Sequence, residues 1–166
     1  MAHDLISQSS LLSRLSYDKA TGLFKWRVDN HRPRAMRGRP VGTRTESGYL
    51  IVKLEGRIYR LHRLAWLYVH GEWPPDDIDH INGVRADNRL CNLRLATRAQ
   101  NMHNARRYPR NTCGTKGVGW HSGRWRARIK IDGRQVHLGR FDTIDQAAAA
   151  YRRAAKASFR EFARFE

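Results

Sequence analysis

The sequence predicts an α+β protein made of small antiparallel sheets and short helices. Three observations support this prediction. Residues 49–61 alternate as a β-hairpin does, and a helical pattern follows directly. The central third then predicts strand, loop, strand and helix, because two short apolar runs flank turn residues and precede a helix start signal. The last third predicts a three-stranded antiparallel sheet followed by an alanine-rich helix.

The composition indicates a polyanion as the partner. The 166 residues suffice for one ordinary domain or two small ones, and 40% of them are hydrophobic. There are 32 Lys and Arg residues against 15 Asp and Glu residues, a formal net charge of +17. Each phosphate contact of such a chain releases condensed counterions, which favours nucleic acid as the ligand. Membrane binding is not expected, because there is no long apolar run and no basic amphipathic helix with a broad apolar face.

The two cysteines, Cys91 and Cys113, form no CxxC pair, which argues against a structural zinc ribbon. A disulfide between them is an alternative, although cysteines of a cytoplasmic nucleic-acid binder are more often reduced. The N-terminus carries Asp4 and lacks the apolar segment of a signal peptide. We therefore expect the protein in the cytoplasm of a bacterial or phage-infected host cell.

The N-terminal part is expected to support the elements that follow it. A cluster of serines predicts a helix that starts near Ser10 and ends at Leu15. Residues 17–22 have the Asp and Gly of a chain reversal, and residues 23–26 form the next strand. Residues 29–47 are rich in Arg, Gly and Pro and predict a basic loop near DNA.

The hairpin at residues 49–61 is expected to turn at Glu55-Gly56. Residues 61–70 then place their apolar side chains on one helical face, and Gly71 is a typical helix stop. His62 lies at the start of this helix. It is interpreted as a surface or capping histidine rather than as a direct participant in chemistry.

The central stretch predicts a second hairpin and the helix that follows it. One strand ends at His80, residues 93–95 form the return strand, and Asn82 and Asn88 are interpreted as turn residues between them. Thr97-x-x-Gln100 is a capping box, which starts a helix that extends to about residue 107.

This arrangement gathers polar side chains around one position. His80 lies at a strand end with Asp79 before it, and Asn92 starts the return strand opposite His80. Asn101 lies on the first full turn of the helix, and Asn104 follows at i+3 on the same face.

Phosphodiester hydrolysis needs a base that activates water and a cation that stabilises the charge of the transition state. A neutral His80 can be that base. Asp79 is a hard oxygen ligand suited to Mg²⁺ or a similar ion, and Asn101 can add an amide oxygen. Asn92 can hydrogen-bond the loop or the imidazole and so hold the imidazole in one tautomer.

Over residues 45–105 the pattern is Asp79-His80, Asn92-Leu93-Arg94, Asn101 and Asn104. It resembles the HNH homing endonucleases of phages and introns in their ββα-metal form. The resemblance implies Asp79 and Asn101 as ligands of a divalent metal ion, with Mg²⁺ as the first expectation and Mn²⁺ as the alternative. It also implies His80 as the general base and Asn92 as the residue that positions it, with His103 as a reserve ligand.

The C-terminal third predicts a basic linker and a second compact module. The linker, residues 108–115, follows Arg106 and Arg107. Residues 117–120, 124–131 and 134–139 form three strands, and Asp132-Gly133 joins the last two. Thr143-x-x-Gln146 caps an alanine-rich helix that can lie close on the sheet.

The Asp132-Gly133 turn sets the register of the last two strands, with Ile131 opposite Arg134. The apolar face then collects Ala127, Ile129, Ile131, Val136 and Leu138. The other face collects Arg126, Arg128, Lys130, Gln135 and His137. A sheet with such a face fits the major groove of duplex DNA, where Arg, Lys and Gln can read base edges.

This module resembles the AP2 DNA-binding domain over residues 113–163. The matching residues are Gly117-Val118, Trp125, Leu138-Gly139-x-Phe141-Asp142-Thr143, Ala147-Ala148 and Ala150-Tyr151. The resemblance implies that the basic sheet face reads DNA. Gln135 and His137 stand where plant members usually carry Arg and Trp, so the plant target sequence is not carried over. Trp120 and Trp125 are interpreted as packing residues.

These interpretations predict a supporting region at residues 1–47, an HNH nuclease module at 48–107, the linker at 108–115 and an AP2-like domain at 116–166. The predicted function is a metal-dependent endonuclease of homing type that nicks or cuts duplex DNA, with the AP2-like sheet selecting the site. We expect a monomer that has no small-molecule substrate and no membrane partner.

Two other functions compete with this one. A sequence-specific DNA-binding regulator with an inert nuclease centre is opposed by the presence of all four site residues, Asp79, His80, Asn92 and Asn101. An RNA-binding protein is disfavoured, because single-strand recognition usually uses exposed aromatic platforms and the expected reading face is basic and rich in amides.

Overall fold

The computed structural model describes residues 5–27, 37–104, 113–131, 133–163 and 165, with the backbone alone for residues 103 and 104. The chain divides into two compact units, Met1–Ala96 and Thr97–Glu166. Both combine helices with small antiparallel sheets, which confirms the predicted α+β class. The domain boundaries derived from the sequence stay a prediction. In the described part of the chain, no helix combines the length and the apolar character of a membrane span.

The described residues of the first unit form two α-helices and three small sheets. Helix α1 spans Gln8–Arg14 and helix α2 spans Leu61–His70. The strands are β1 (Leu15–Tyr17), β2 (Phe24–Trp26), β3 (Thr43–Arg44), β4 (Leu50–Leu54), β5 (Arg57–Arg60), β6 (Asp77–His80) and β7 (Leu93–Ala96). They pair antiparallel as β1-β2, β3-β4-β5 and β6-β7.

Helix α1 begins earlier than the serine cluster predicted. Ser7 is the N-cap, and its hydroxyl accepts a hydrogen bond from the backbone N–H of Ser10. The cluster contains several residues that can cap a helix, and the buried Leu11 selects among them, because α1 must turn that side chain inward.

The basic loop predicted for residues 29–47 is wrong in its last part. Thr43 and Arg44 form strand β3, which pairs with β4 through Thr43↔Ile51 and Arg44↔Leu50. Two residues surrounded by Gly, Arg and Thr have no strand periodicity of their own, so the pairing with β4 creates this strand. Residues 28–36 lie outside the described part.

The β4-β5 hairpin and helix α2 agree with the prediction. Strands β4 and β5 pair with Leu54 opposite Arg57, and the turn residues Glu55 and Gly56 both have positive φ, as a tight hairpin requires. Helix α2 ends at Gly71, whose left-handed conformation lets its N–H donate to the carbonyl of Leu67.

The core of the first unit forms where α1, α2 and the three sheets meet. Its largest fully buried apolar side chains are Ile6, Leu11, Leu15, Phe24, Leu61, Leu64 and Leu67. Each aliphatic side chain of this size stabilises the fold by about 1.5–3 kcal/mol when it leaves water. These side chains come from elements distant in sequence, so the core joins the N-terminal region to the central strands.

The turn between β1 and β2 lies against the loop that precedes β7. The Tyr17 hydroxyl donates to the backbone carbonyl of Asn88 at 2.7 Å, and the Leu90 N–H donates to the carbonyl of Lys19 at 3.1 Å. A Cβ on Gly22 would overlap the backbone nitrogen of Arg89 and lie 2.6 Å from the carbonyl carbon of Asn88. The N-terminal hairpin thus holds the Asn88–Arg89 segment by direct backbone contact.

The second unit contains helix α3 (Arg98–Asn104), strands β8 (Val118–His121), β9 (Arg124–Ile131) and β10 (Arg134–Phe141), and helix α4 (Ile144–Phe159). A short 3₁₀ helix at Arg160–Phe162 follows α4. Both predicted capping boxes are present, at Thr97 with Gln100 and at Thr143 with Gln146. The sheet order is β10-β9-β8, and α4 buries its alanine face on it.

The register of β9 and β10 matches the prediction as far as His137 and then shifts. Ile131 pairs with Arg134 and Arg128 pairs with His137, but the next pair is Ala127 with Gly139. A bulge at Leu138 therefore adds one residue to β10. Such a bulge moves every later side chain of that strand to the opposite face from the one that unbroken alternation predicts.

We predict that Gly22→Ala destabilises the protein by about 1–3 kcal/mol more than Gly56→Ala, because an overpacked contact costs about this much. Both glycines have positive φ, 73° and 78°, so the left-handed backbone conformation penalises the two variants alike. Only the Cβ at position 22 meets other atoms, since nothing lies within 4 Å of a Cβ at position 56. Urea denaturation of both variants measures the difference. Equal denaturation midpoints for the two variants would show that the turn is not in close contact with the Asn88–Arg89 segment.

Candidate functional site

The pairing of β6 with β7 places the predicted acid and base at one end of a two-stranded ribbon. Asp79 pairs with Arg94 and His80 pairs with Leu93. The side chains of Asp79 and His80 are 5% and 4% exposed, far less than is usual for polar residues at a strand end. Each therefore depends on specific partners within the first unit.

Asp79 forms a buried ion pair with Arg94. The Nε and Nη2 atoms of Arg94 lie 2.9 and 2.8 Å from Oδ2 of Asp79. Charge-assisted hydrogen bonds of this kind orient a carboxylate, and removing one partner of a buried pair costs about 3–5 kcal/mol. The pair thus presents the Asp79 carboxylate in one orientation beside His80.

The imidazole of His80 contacts the side chain of Asn88. Nε2 of His80 and Oδ1 of Asn88 are 3.3 Å apart, and Asn88 is 1% exposed. Because an amide oxygen only accepts hydrogen bonds, this contact selects the tautomer with the proton on Nε2 and the lone pair on Nδ1. The interpretation of Asn88 as a turn residue is therefore wrong. Its neighbours in sequence resemble a turn, but the Tyr17 hydroxyl fixes its backbone with the side chain inward.

Asn92 contacts the loop between the two strands. It closes a 3₁₀ turn, Leu90–Asn92, immediately before β7 rather than starting that strand. Its Nδ2 donates to the carbonyl of Asp87 at 2.8 Å, and its Oδ1 accepts from the N–H of Asn82 at 3.0 Å. The sequence left open whether Asn92 contacts the loop or the imidazole. These hydrogen bonds join its side chain to the loop.

The carboxylate of Asp87 stabilises the same loop through hydrogen bonds on the exposed side of the loop. Its carboxylate receives hydrogen bonds from Nε and Nη2 of Arg89, at 2.8 and 2.6 Å, and from Nδ2 of Asn82 at 2.7 Å. The Arg89 hydrogen bond is the largest cause that lowers the pKa of Asp87 to about 2. Asp87 is therefore ionised at neutral pH and closes the loop that carries Asn88.

His62 is buried, which corrects its interpretation as a surface or capping histidine. It is 3% exposed, and its ring centroid lies 5.0 Å from that of His80 in an edge-to-face arrangement. Its Nδ1 has no hydrogen-bond partner among the described residues. His62 is the second residue of α2, which follows β5 without a loop, so the fold of the β4-β5 hairpin turns its ring inward. The local sequence carries no signal for this orientation.

Burial also determines the charge of both imidazoles. It is the largest cause that lowers the pKa of His80, and the hydrogen bond with Asn88 opposes it. Burial lowers the pKa of His62 to about 3, with the neighbouring His80 as the next cause. Both rings are therefore neutral at neutral pH, and His80 can accept a proton there.

Asn101 and its neighbours belong to the second unit. Asn101 lies on the first turn of α3, half-buried, and its N–H donates to the carbonyl of Thr97 at 2.9 Å. The side chains of His103 and Asn104 lie outside the described residues, as do Arg106 and Arg107. Their predicted roles stay predictions.

The donor types in these predictions fit a hard divalent cation. Within the described residues, no group of three or more His, Cys, Asp or Glu side chains could hold a metal ion. Mg²⁺ rarely uses such a group, because it binds one or two protein oxygens and completes its shell with water and substrate phosphate. The oriented carboxylate of Asp79 is an oxygen donor of this kind.

The second unit carries the predicted basic face on its sheet. Arg128, Lys130, Gln135 and His137 are exposed, and Arg126 is half-buried. Nη1 of Arg128 donates to Oε1 of Gln135 at 3.2 Å across the two strands. The face therefore combines exposed positive charge with the side-chain amide of Gln135, which the hydrogen bond from Arg128 orients.

Three side chains of this sheet differ from expectation. The bulge at Leu138 pairs Arg140 with Arg126, so Arg140 joins the basic face, where its Nη2 also donates to the carbonyls of His121 and Ser122. Val136 is 40% exposed, although its pairing partner Ile129 is buried. Trp120 is 58% exposed and meets Trp125 edge to face, whereas Trp125 packs against the core as expected.

Comparisons with known proteins identify an HNH endonuclease domain in the central part of the chain. Residues 59–103 match the family model of the HNH endonucleases. Protein 3.8 of Escherichia phage T7 is 34% identical to the chain over 96 residues, which are 56% of this chain and 79% of the phage protein. An ethylene-responsive transcription factor-like protein of Arabidopsis thaliana is 31% identical over 79 residues, 48% of this chain but only 35% of the plant protein. No solved structure is significantly similar to the chain.

We predict that His62 makes folding stability depend on pH. The unfolded chain binds a proton at this histidine below its ordinary pKa of 6.5, whereas the folded protein does so only near pH 3. Neutral His62 therefore makes its full contribution to the free energy of unfolding above pH 6.5. This contribution decreases as the pH falls from 6.5 toward 3, and the loss reaches roughly 1.4 kcal/mol at pH 5.5. Urea denaturation at pH 7.5 and 5.5 should show a smaller loss in His62→Phe than in the wild type. The control His70→Phe replaces an exposed histidine and should keep the wild-type loss.

Proposed function

Since the chain belongs to the family of protein 3.8 of Escherichia phage T7 and has an HNH endonuclease domain at residues 59–103, we propose that it is a metal-dependent endonuclease of duplex DNA. The observation that supports this most directly is the buried, neutral His80 beside the oriented carboxylate of Asp79. Phosphodiester hydrolysis needs these two groups side by side, one to accept a proton and one to hold a cation.

In this proposal His80 is the general base. Asn88 keeps the proton on Nε2, so Nδ1 accepts the proton of the attacking water. Burial keeps the imidazole neutral and removes competing solvent. Asn92 acts as a positioning residue, because its hydrogen bonds hold the loop whose Asn88 contacts the base.

Asp79 and Asn101 are the proposed metal ligands. The Arg94 ion pair holds the Asp79 carboxylate, and Asn101 contributes an amide oxygen from helix α3. A Mg²⁺ or Mn²⁺ ion, when bound, supplies Lewis acidity to the phosphate and stabilises the leaving oxygen.

The basic sheet face of the second unit is proposed to select the DNA site. Its exposed Arg128, Lys130, Gln135 and His137, with Arg126, are of the types that read base edges in the major groove. The similarity to a plant protein named as transcription factor-like supports an AP2-like role for this unit. Arg106 and Arg107 would add contacts to the DNA backbone.

With one such centre in a monomer, the enzyme would cut one strand at a time, as a homing-type nicking enzyme of a phage does. The competing function, a DNA-binding regulator with an inert centre, differs in one measurable respect, because it binds DNA and leaves both strands intact.

We predict that His80→Ala lowers the single-turnover cleavage rate of supercoiled plasmid by roughly 10²–10⁴-fold, the usual contribution of a general base. DNA affinity should stay within about twofold, since the imidazole is buried. The control His70→Ala, on the exposed end of α2, should cleave as the wild type does. Excess chelator should stop the wild-type reaction, and Mg²⁺ or Mn²⁺ should restore it. Tight binding of plasmid without any cleavage under all conditions would favour the regulator.

We predict that Arg126→Ala and Arg128→Ala weaken DNA binding, with a change of preferred site in the Arg128 variant. Loss of a bidentate base contact costs about 1–3 kcal/mol and relaxes the sequence preference at that position. Binding-site selection from a random duplex library, with affinities measured at fixed salt, tests both effects. Lys156→Ala, on the exposed side of α4, is the matched control. An unchanged affinity and footprint would exclude the sheet as the reading surface.

A further inference from the structure

Three segments of the first unit converge on the ring of Tyr49. Tyr49 precedes β4, Arg60 ends β5, and Arg85 lies in the loop after β6. The guanidinium carbons of Arg60 and Arg85 lie 4.7 and 5.0 Å from the centroid of the Tyr49 ring. At these distances the cation–π attraction favours positions of both side chains over the ring.

This arginine pair lies next to the candidate base. The Tyr49 ring centroid is 5.2 Å from that of His62 and 6.1 Å from that of His80. Nη1 of Arg85 donates to the carbonyl of Ser47 at 2.8 Å, which fixes its side chain over the ring. The two guanidinium groups and the imidazole of His80 therefore lie around the same tyrosine ring within the first unit.

No carboxylate of the described residues forms an ion pair with either arginine. Arg60 and Arg85 are both exposed. By contrast, Arg94 and Arg89 are each paired with a carboxylate in the same region. After burial, the charges that lower the pKa of the imidazoles include Arg60 at His62 and Arg85 at His80. An anion bound here would relieve the repulsion between the two cations.

We propose that Arg60 and Arg85, held on Tyr49, grip the phosphodiester backbone of the DNA strand at the bond to be cut. The inference rests on the proposed function, because a phosphate must approach to within about 3–3.5 Å of the water that His80 activates. Guanidinium groups fit phosphate oxygens in a forked geometry, and contacts to phosphate position DNA without reading its sequence. The pair thus supplies the local grip at the reacting strand, separately from the basic sheet of the second unit.

Lys53 offers a matched control on the same sheet. Ile51 pairs with Arg60 and side chains alternate along β4, so Tyr49, Lys53 and Arg60 share one face. Lys53 is exposed and lies about 13 Å along the strand from Tyr49, at 3.3 Å per residue. Lys53→Ala therefore removes the same charge from the same face without touching the pair.

The binding test uses a fluorescein-labelled 30-base-pair duplex of mixed sequence, with chelator present and His80→Ala as the background. Arg60→Ala and Arg85→Ala should each reduce the slope of log affinity against log salt by about 0.9, the value for one phosphate contact. Lys53→Ala should leave the slope unchanged. Slopes in the arginine variants equal to that of the background, or a matching reduction in Lys53→Ala, would overturn the inference.

The kinetic test uses supercoiled plasmid at saturating protein. Arg60→Ala and Arg85→Ala should each slow single-turnover cleavage at least about 10-fold, since they would stabilise charge on the phosphate. Tyr49→Leu removes the ring that holds both arginines and should slow cleavage as well, whereas Lys53→Ala should retain the wild-type rate. Wild-type rates in both arginine variants would overturn the inference. If the wild type cleaves no DNA, the proposed function fails, and the binding test still decides whether the pair grips phosphate.

Discussion

A chain of buried hydrogen bonds from Tyr17 through Asn88 to His80 is the constraint on which the candidate site depends. The Tyr17 hydroxyl holds the backbone of Asn88, and the Asn88 side chain holds Nε2 of His80. Because these groups are buried, breaking either hydrogen bond would leave a donor or an acceptor out of reach of water, at a cost of about 1–3 kcal/mol. The N-terminal hairpin therefore acts on the chemistry through backbone placement, although none of its side chains contributes a reacting group.

The electrostatics of the first unit separates groups that must stay neutral from groups that must stay charged. The imidazoles of His62 and His80 are neutral because burial penalises their charged forms. The carboxylates of Asp79 and Asp87 each have an arginine partner, so the region keeps its negative charge in defined places. Arg60 and Arg85 are exposed and form no ion pair with any residue in the described part of the chain. A neutral base beside exposed positive charge is an arrangement suited to a substrate that brings its own negative charge.

The second unit shows how a single irregularity changes a binding face. The bulge at Leu138 carries Arg140 to the side of Arg126, and it leaves Gly139 at φ 130° beside the ring of Phe141. Helix α4 packs closely on the other side of the same sheet. The ring of Tyr151 lies so near Gly117 that a side chain at position 117 would overlap it. The sheet that carries the basic face is thus supported by close packing of an alanine-rich helix on its apolar face.

The sequence by itself determined the α+β class, the hairpin turn at Glu55-Gly56, the limits of α2 and the candidates Asp79 and His80. These features depend on neighbours a few residues away, whose preferences can be read locally. Only the tertiary structure decided the burial of His62, the role of Asn88 and the position of Arg140. Tyr17 and Asn88 are 71 residues apart, so no local pattern records their hydrogen bond. After the register shift at Leu138, Phe141 packs against the core that α4 covers, a placement that strand alternation cannot anticipate.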